Sequence, residues 1–143
     1  MRISSKGRYS LEALLYLALL PEGAFASTRE ISEKTEVSER YLEQLFIPLR
    51  QKGLIAALRG SRGGYYLDKR PDAITVGDIL RTVEVSLDLV VCMAALDCPR
   101  KNQCETRGTW SALYRGINSF VDSVTLGDLA RAYNAVDTPE YTI

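Results

Sequence analysis

The sequence predicts a mainly α-helical fold with one small β-hairpin wing: a winged helix-turn-helix followed by a long dimerisation helix. Three observations predict it. Two short helical patterns meet at a tight turn between Ser27 and Leu49. Two short apolar runs, "LIAAL" and "YYL", flank Gly60-Ser61-Arg62-Gly63-Gly64. Well beyond them, one apolar stripe runs from Trp110 to Val124. At 143 residues the chain has room for one domain with a real core, plus an extension.

In chain order, Leu11, Leu14, Leu15, Ala18 and Leu19 recur at helical spacing and mark one face of an amphipathic helix. Pro21 and Gly23 stop it. Ser27 with Glu30 is a capping box that opens "TREISEKT". Val37 follows the turn, and Ser38 caps the next helix. There Leu42, Leu45, Phe46 and Leu49 form the inward face, opposite Arg40, Glu43, Gln44 and Ile47. Pro48 is expected to bend this helix or weaken its last turn. The glycine-rich stretch then joins two strands as a hairpin with Arg59 and Arg62 at its tip. It is not read as a nucleotide loop, because G-x-G-x-x-G is missing and a strand follows.

Thr75 with Asp78 caps a short helix that turns Ile79, Leu80 and Val83 inward and completes the first unit, residues 1–84. Residues 85–108 show no clear periodicity; "LDLVVCMAAL" is compatible with a partial helix, and Pro99 and Gly108 break the pattern. Residues 109–143 begin with the stripe of Trp110, Leu113, Tyr114, Ile117, Phe120, Val121 and Val124. It occupies a helix of about 16 residues, about 24 Å long. A chain this small has little to bury such a stripe against, so pairing with a second copy is expected. Thr125 with Asp128 opens a last helix.

Net charge is zero, but it is unevenly spread. Residues 1–70 carry 12 Lys and Arg against 8 Asp and Glu, and residues 71–143 carry 6 against 10. A basic first part fits a polyanion, and the helix-turn-helix with a basic hairpin makes duplex DNA the expected partner. Donors on the second helix suit base edges in the major groove, and wing arginines suit the narrower minor groove. A two-fold pair would set its two recognition helices about 34–36 Å apart on a pseudo-palindromic operator. No apolar run approaches a membrane span and no signal peptide is read, so a cytoplasmic, membrane-free protein is expected. The chain has no histidine and no nucleophile visibly paired with a base, which argues against an enzyme.

All three cysteines, Cys92, Cys98 and Cys104, lie six apart in the middle segment. A structural disulfide is unlike a cytoplasmic protein, and an odd count leaves one thiol over. Thiolates are soft ligands for iron–sulfur clusters or zinc. Thiol redox chemistry is a second use, with Arg100 and Lys101 positioned to lower the pKa of Cys98 or Cys104. Cys92, beside Val90, Val91 and Met93, also reads as a buried apolar residue.

"MRISSKGRYSLEALLYLAL", "SERYLEQLFIPLRQKGLI", "LRGSRGGYYL" and "ITVGDILRTVE" resemble a bacterial family of dimeric winged-helix regulators. That family includes the iron–sulfur cluster regulator IscR, the nitric-oxide sensor NsrR and the cysteine-metabolism repressor CymR. The resemblance reaches through the cysteines to "SVTLGDLA". It implies that Tyr41, Glu43 and Gln44 lie on the recognition helix, that Glu43 discriminates between classes of DNA site, and that Arg59 enters the minor groove. It also implies that the three cysteines hold a cluster, with 2Fe–2S favoured because the DNA-binding half most resembles IscR. In that regulator the fourth ligand is a histidine three residues after the last cysteine; Arg107 stands there in this chain. The nitric-oxide sensors use an aspartate of the partner's first helix, where this chain reads "SKGRYS" with Arg8. Asp97, Glu105, a residue of the other subunit, a small thiol or solvent are the candidates for that position.

The expected function is a homodimeric transcriptional regulator whose operator binding an iron–sulfur cluster modulates. The residues assigned to DNA are Ser38, Arg40, Tyr41, Glu43, Gln44, Arg59, Ser61, Arg62, Gly63 and Gly64. The alternatives are a cluster-free regulator under thiol-redox or partner control, and a small electron-transfer protein.

Overall fold

The structure is a computed structural model that describes residues 2–88, 100 and 102–137. The elements are α1 (Ser5–Leu19), α2 (Thr28–Thr35), α3 (Glu39–Gln51), β1 (Ile55–Leu58), β2 (Gly64–Leu67), a 3-10 turn (Pro71–Ala73) and α4 (Val76–Val83). Two further helices follow, α5 (Arg107–Ser123) and α6 (Leu126–Asp137). The fold is thus mainly helical with one antiparallel hairpin, as the sequence predicts. Cys92, Cys98, Asp97, Lys101 and most of "LDLVVCMAAL" lie outside the described residues.

The local signals work as atoms. Ser27 Oγ accepts the Glu30 N–H at 3.1 Å while the Glu30 carboxylate accepts the Ser27 N–H at 2.7 Å. Thr75 with Asp78, and Thr125 with Asp128, repeat this reciprocal cap. α1 ends at Leu19 because Pro21 cannot continue it, and Gly23 takes a left-handed φ of 81° in the turn that follows. Pro48 removes one helical N–H from α3, yet the helix runs on to Gln51, since Leu49 is fully buried and holds the last turn in place.

The buried face of α1 differs from the expected stripe. Gly7, Ser10, Ala13, Leu14 and Leu17 are buried, whereas Leu11 and Ala18 pack at the margin and Leu15 and Leu19 stay half-buried. Leucines occupy most of the circumference of α1, so their spacing cannot select a side. The small residues select it, because they let neighbouring helices approach. A Cβ on Gly7 would lie 3.1 Å from Leu80 of α4.

Among the described residues, the larger buried cluster joins α1–α4, the hairpin and α6. Leu14, Ile31, Leu42, Phe46, Leu49, Leu54, Ile55, Ile74, Ile79 and Leu126 are fully buried in it. The last of these belongs to α6. The chain between α5 and α6 pairs with the chain entering α4: Val76 N–H donates to Val124 O and Leu126 N–H to Ile74 O, both at 2.9 Å. The C-terminal helices are therefore fastened to the first unit by backbone as well as side chains. α5 starts at Arg107, and Gly108, expected to break the pattern, sits in its first turn.

Arg81 of α4 donates to Asp122 and Asn118 of α5 at 2.6 Å each. The Arg81 hydrogen bond holds the Asp122 carboxyl below its ordinary 3.8. Asp128 is likewise held low, chiefly by the Thr125 N–H and then by Arg131. A lowered folded pKa means that the unfolded chain binds more protons as acid is added. The stability from these two groups is thus present above 3.8 and lost as pH falls through their folded values. Both are solvated, so the effect is small and shrinks in salt. Thermal melts from neutral pH to about pH 3 should show a shallower acid loss in Asp122→Asn than in the native chain.

Candidate nucleic-acid interface

The turn between α2 and α3 is held from both sides. Glu36 takes the left-handed φ of 59° that reverses the chain, and Ser32 Oγ–H donates to Val37 O at 2.6 Å. Val37 is buried behind it, and Ser38 Oγ accepts the Tyr41 N–H at 3.2 Å to cap α3. With Leu42, Leu45, Phe46 and Leu49 buried, Arg40, Glu43, Gln44 and Ile47 are left on one open face. Ile47 is 58% exposed there, an apolar group among donors and acceptors that suits a thymine methyl.

Tyr41 sits at the border of that face, half-buried. Its ring meets Tyr9 of α1 edge-on, with centroids 5.8 Å apart and planes at 89°. The Arg8 guanidinium lies 4.8 Å from the Tyr9 centroid. Arg8, which also pairs with Glu12 at 3.7 Å, is thereby set near the start of α3, a placement beyond the residues assigned to DNA from the sequence. No local pattern could have found it, because it depends on where α1 crosses α3.

The wing is set relative to α3 by a buried aromatic contact, Phe46 against Tyr65 of β2, with centroids 4.5 Å apart. β1 and β2 pair from Ile55↔Leu67 to Leu58↔Gly64. Ala26 adds a short third rung by exchanging both backbone hydrogen bonds with Tyr65, at 3.0 and 2.7 Å. Arg59, Ser61 and Arg62 are exposed at the tip, where Gly60 has a φ of 109°. Gly63 and Gly64 answer to the sheet itself: a Cβ on the first would strike the Leu58 carbonyl, and on the second the Ala26 carbonyl.

Of the three thiols, Cys104 is described. It is partly exposed just before α5, with Sγ 3.5 Å from Thr106 Oγ1. Trp110 Nε1–H donates to that same oxygen at 3.1 Å. Thr106, by its hydroxyl and then its amide, holds the thiol below its ordinary 9.0, aided by Arg107 N–H and the Arg100 charge. Thiolate is the form a soft metal takes up. A set of three cysteines and one histidine cannot be assembled from a chain without histidine. Among the described residues, no three His, Cys, Asp or Glu lie together as a metal site.

The stripe on α5 divides. Val121 is buried with Leu80 and Leu87, and Trp110, Tyr114, Ile117 and Val124 are half-buried. Leu113 and Phe120 remain 46% and 69% exposed. They line an open apolar groove of about 730 Å³ with Ile3, Leu80, Leu87 and Ile117.

The architecture is shared with known proteins. Residues 3–132 match the family model Rrf2, described as an iron-dependent transcriptional regulator. The chain belongs to the Rrf2 family. The HTH-type transcriptional regulator IscR of Yersinia pseudotuberculosis is 38% identical over 140 residues, covering 98% of this chain and 85% of that one. Among solved structures, CymR, the global cysteine regulator of B. subtilis, superposes with a TM-score of 0.80 at 37% identity. That match covers 92% of this chain and 98% of CymR. T. potens IscR gives 0.78 at 34%, covering 96% and 91%. This Rrf2 chain is a DNA-binding transcriptional regulator, and its relatives are regulators rather than enzymes. Among the described residues, no helix is long and apolar enough to cross a membrane.

Proposed function

We propose that this Rrf2 regulator acts as a homodimer on a pseudo-palindromic operator, with an iron–sulfur cluster on Cys92, Cys98 and Cys104 adjusting its grip. The observation that carries the DNA reading is the Ser38-capped α3, its polar face open and its angle to the wing set by Phe46 and Tyr65. Gln44 suits adenine, Arg40 suits guanine, and Arg59 suits a narrow minor groove. Glu43 repels a phosphate or base edge that offers it no donor, and so acts by excluding wrong sites. The apolar groove between Leu113 and Phe120 supports pairing with a second copy, which would bring two such faces to two half-sites.

When bound, a cluster supplies an iron- and redox-responsive cross-link between thiolates. The chain's own part is to hold Cys104 beside Thr106, whose hydrogen bonds keep the thiol below its ordinary value. Cluster-free control, by thiol oxidation or a partner protein, is the second reading. The absence of histidine, Arg107 at the family's histidine position, and the likeness to CymR favour it.

Anaerobic purification with iron and sulfide analysis separates the two. The loaded and stripped proteins are expected to differ in affinity for a duplex selected from a random pool. Gln44→Ala should cost about 1–3 kcal/mol of discrimination at one base pair. Colourless, iron-free protein that binds the selected duplex fully would favour the second reading.

A further inference from the structure

Glu84 closes α4. Its N–H donates to Leu80 O at 2.8 Å, and the chain then leaves in extended conformation toward the cysteines. Its carboxylate reaches back to the start of α1. Glu84 Oε1 accepts three hydrogen bonds there, from Ser4 N–H at 2.9 Å, Ser4 Oγ–H at 2.9 Å and Gly7 N–H at 3.1 Å. The first amides of a helix lack an intrahelical acceptor, and an anion complements the positive end of the helix dipole. Gly7 leaves room for this contact, since a Cβ there would overlap Glu84 Oε1 and lie 2.8 Å from Ile3.

The next turn of α1 carries Tyr9, which packs against Tyr41 in the first turn of α3. On the other side, Leu87 is buried with Leu80 of α4 and Val121 of α5. The chain leaving α4 is therefore held at Glu84 and again at Leu87, five residues before Cys92.

We propose that Glu84 is a positioning residue for DNA recognition, tying the cysteine-bearing segment to α3 through the first two turns of α1. A shift of the chain beyond Glu84 moves its carboxylate. The turn of α1 follows, because three of its polar groups share one oxygen, and Tyr41 follows Tyr9. This assignment rests on α3 being the element that reads DNA, and it gives the thiol segment a route to that element which does not depend on cluster type.

The probes are a duplex selected from a random pool by the native protein and a scrambled duplex of equal length. Glu84→Ala, which removes the accepting oxygen, is expected to melt cooperatively with native helix content and to bind the selected duplex about tenfold more weakly. Binding to the scrambled duplex, and its salt slope, should not change. Glu84→Ala combined with Tyr9→Ala should bind no more weakly than Tyr9→Ala alone, because both break one connection. Gly7→Ala should reproduce the loss by a separate route. Undiminished specific binding in Glu84→Ala, or losses that add, would overturn the assignment. Amide exchange on the native protein decides the case if the variants do not fold. Alkylating the thiols with N-ethylmaleimide should change protection at Gly7 and Tyr41 together, and a change at Tyr41 alone would sink the idea. A native protein that binds no duplex would instead remove α3 as the reading element.

Discussion

Replacing Leu113 and Phe120 together by glutamate is expected to give a folded monomer that binds a two-half-site duplex about 10²–10⁴-fold more weakly than the native chain. Both side chains are open to solvent in the single chain, so charging them costs its own core little. In a dimer the same positions would bury four unpaired carboxylates against an apolar face, which a two-fold interface cannot tolerate. The affinity loss has a separate origin. Once one recognition helix is bound, the second binds at an effective concentration in the millimolar range, and a monomer has no such second step. Sedimentation should report the monomer mass, while affinity for a single half-site should match the native value. A charged variant that stays dimeric would move the interface elsewhere on the chain.

Phe46→Ala is expected to destabilise the fold by about 3–5 kcal/mol. Whole domains are stable by only about 5–15 kcal/mol, so a large part of the variant would be unfolded under mild stress. Phe46 is fully buried, on the inward face of α3, and its ring meets Tyr65 of the wing. Truncation removes transfer energy and leaves a cavity between α3 and the wing. The midpoint of urea unfolding should fall with little change in slope. DNA binding by the fraction that remains folded should weaken as well, because helix and wing lose their common reference. Phe46→Leu, which keeps most of the volume, should recover part of both losses.

The helix-turn-helix and the wing were legible because their signals are local. Ser27 with Glu30, Thr75 with Asp78 and Thr125 with Asp128 cap helices by contacts that span three residues. The spacing of Leu42, Leu45, Phe46 and Leu49 left only one way for α3 to face, and that assigned Arg40, Glu43 and Gln44 to solvent. The same logic failed on α1, where leucines surround the helix and the small residues Gly7, Ser10 and Ala13 mark the packed side.

The stripe on α5 was legible as a stripe but not as a division of labour. Spacing gave no reason for Val121 to close against Leu80 and Leu87 while Phe120 stays open. Nothing along the chain near Glu84 points to its partners, or near Arg8 to its place beside α3. Their meaning depends on α1 passing beside α4 and α3, across 77 positions of chain in the contact between Gly7 and Glu84.

By itself, then, the sequence determined the order of helices and hairpin, the outward face of α3 and the reservoir of three thiols. These follow from side chains acting on backbone within a turn or two of their own position. Only the tertiary structure decided which side of α1 is buried, that Leu126 closes the core, and that one carboxylate joins α4 to α1. Those outcomes are set by close packing between segments far apart in the chain, where the available space, not the pattern along either segment, selects the contact.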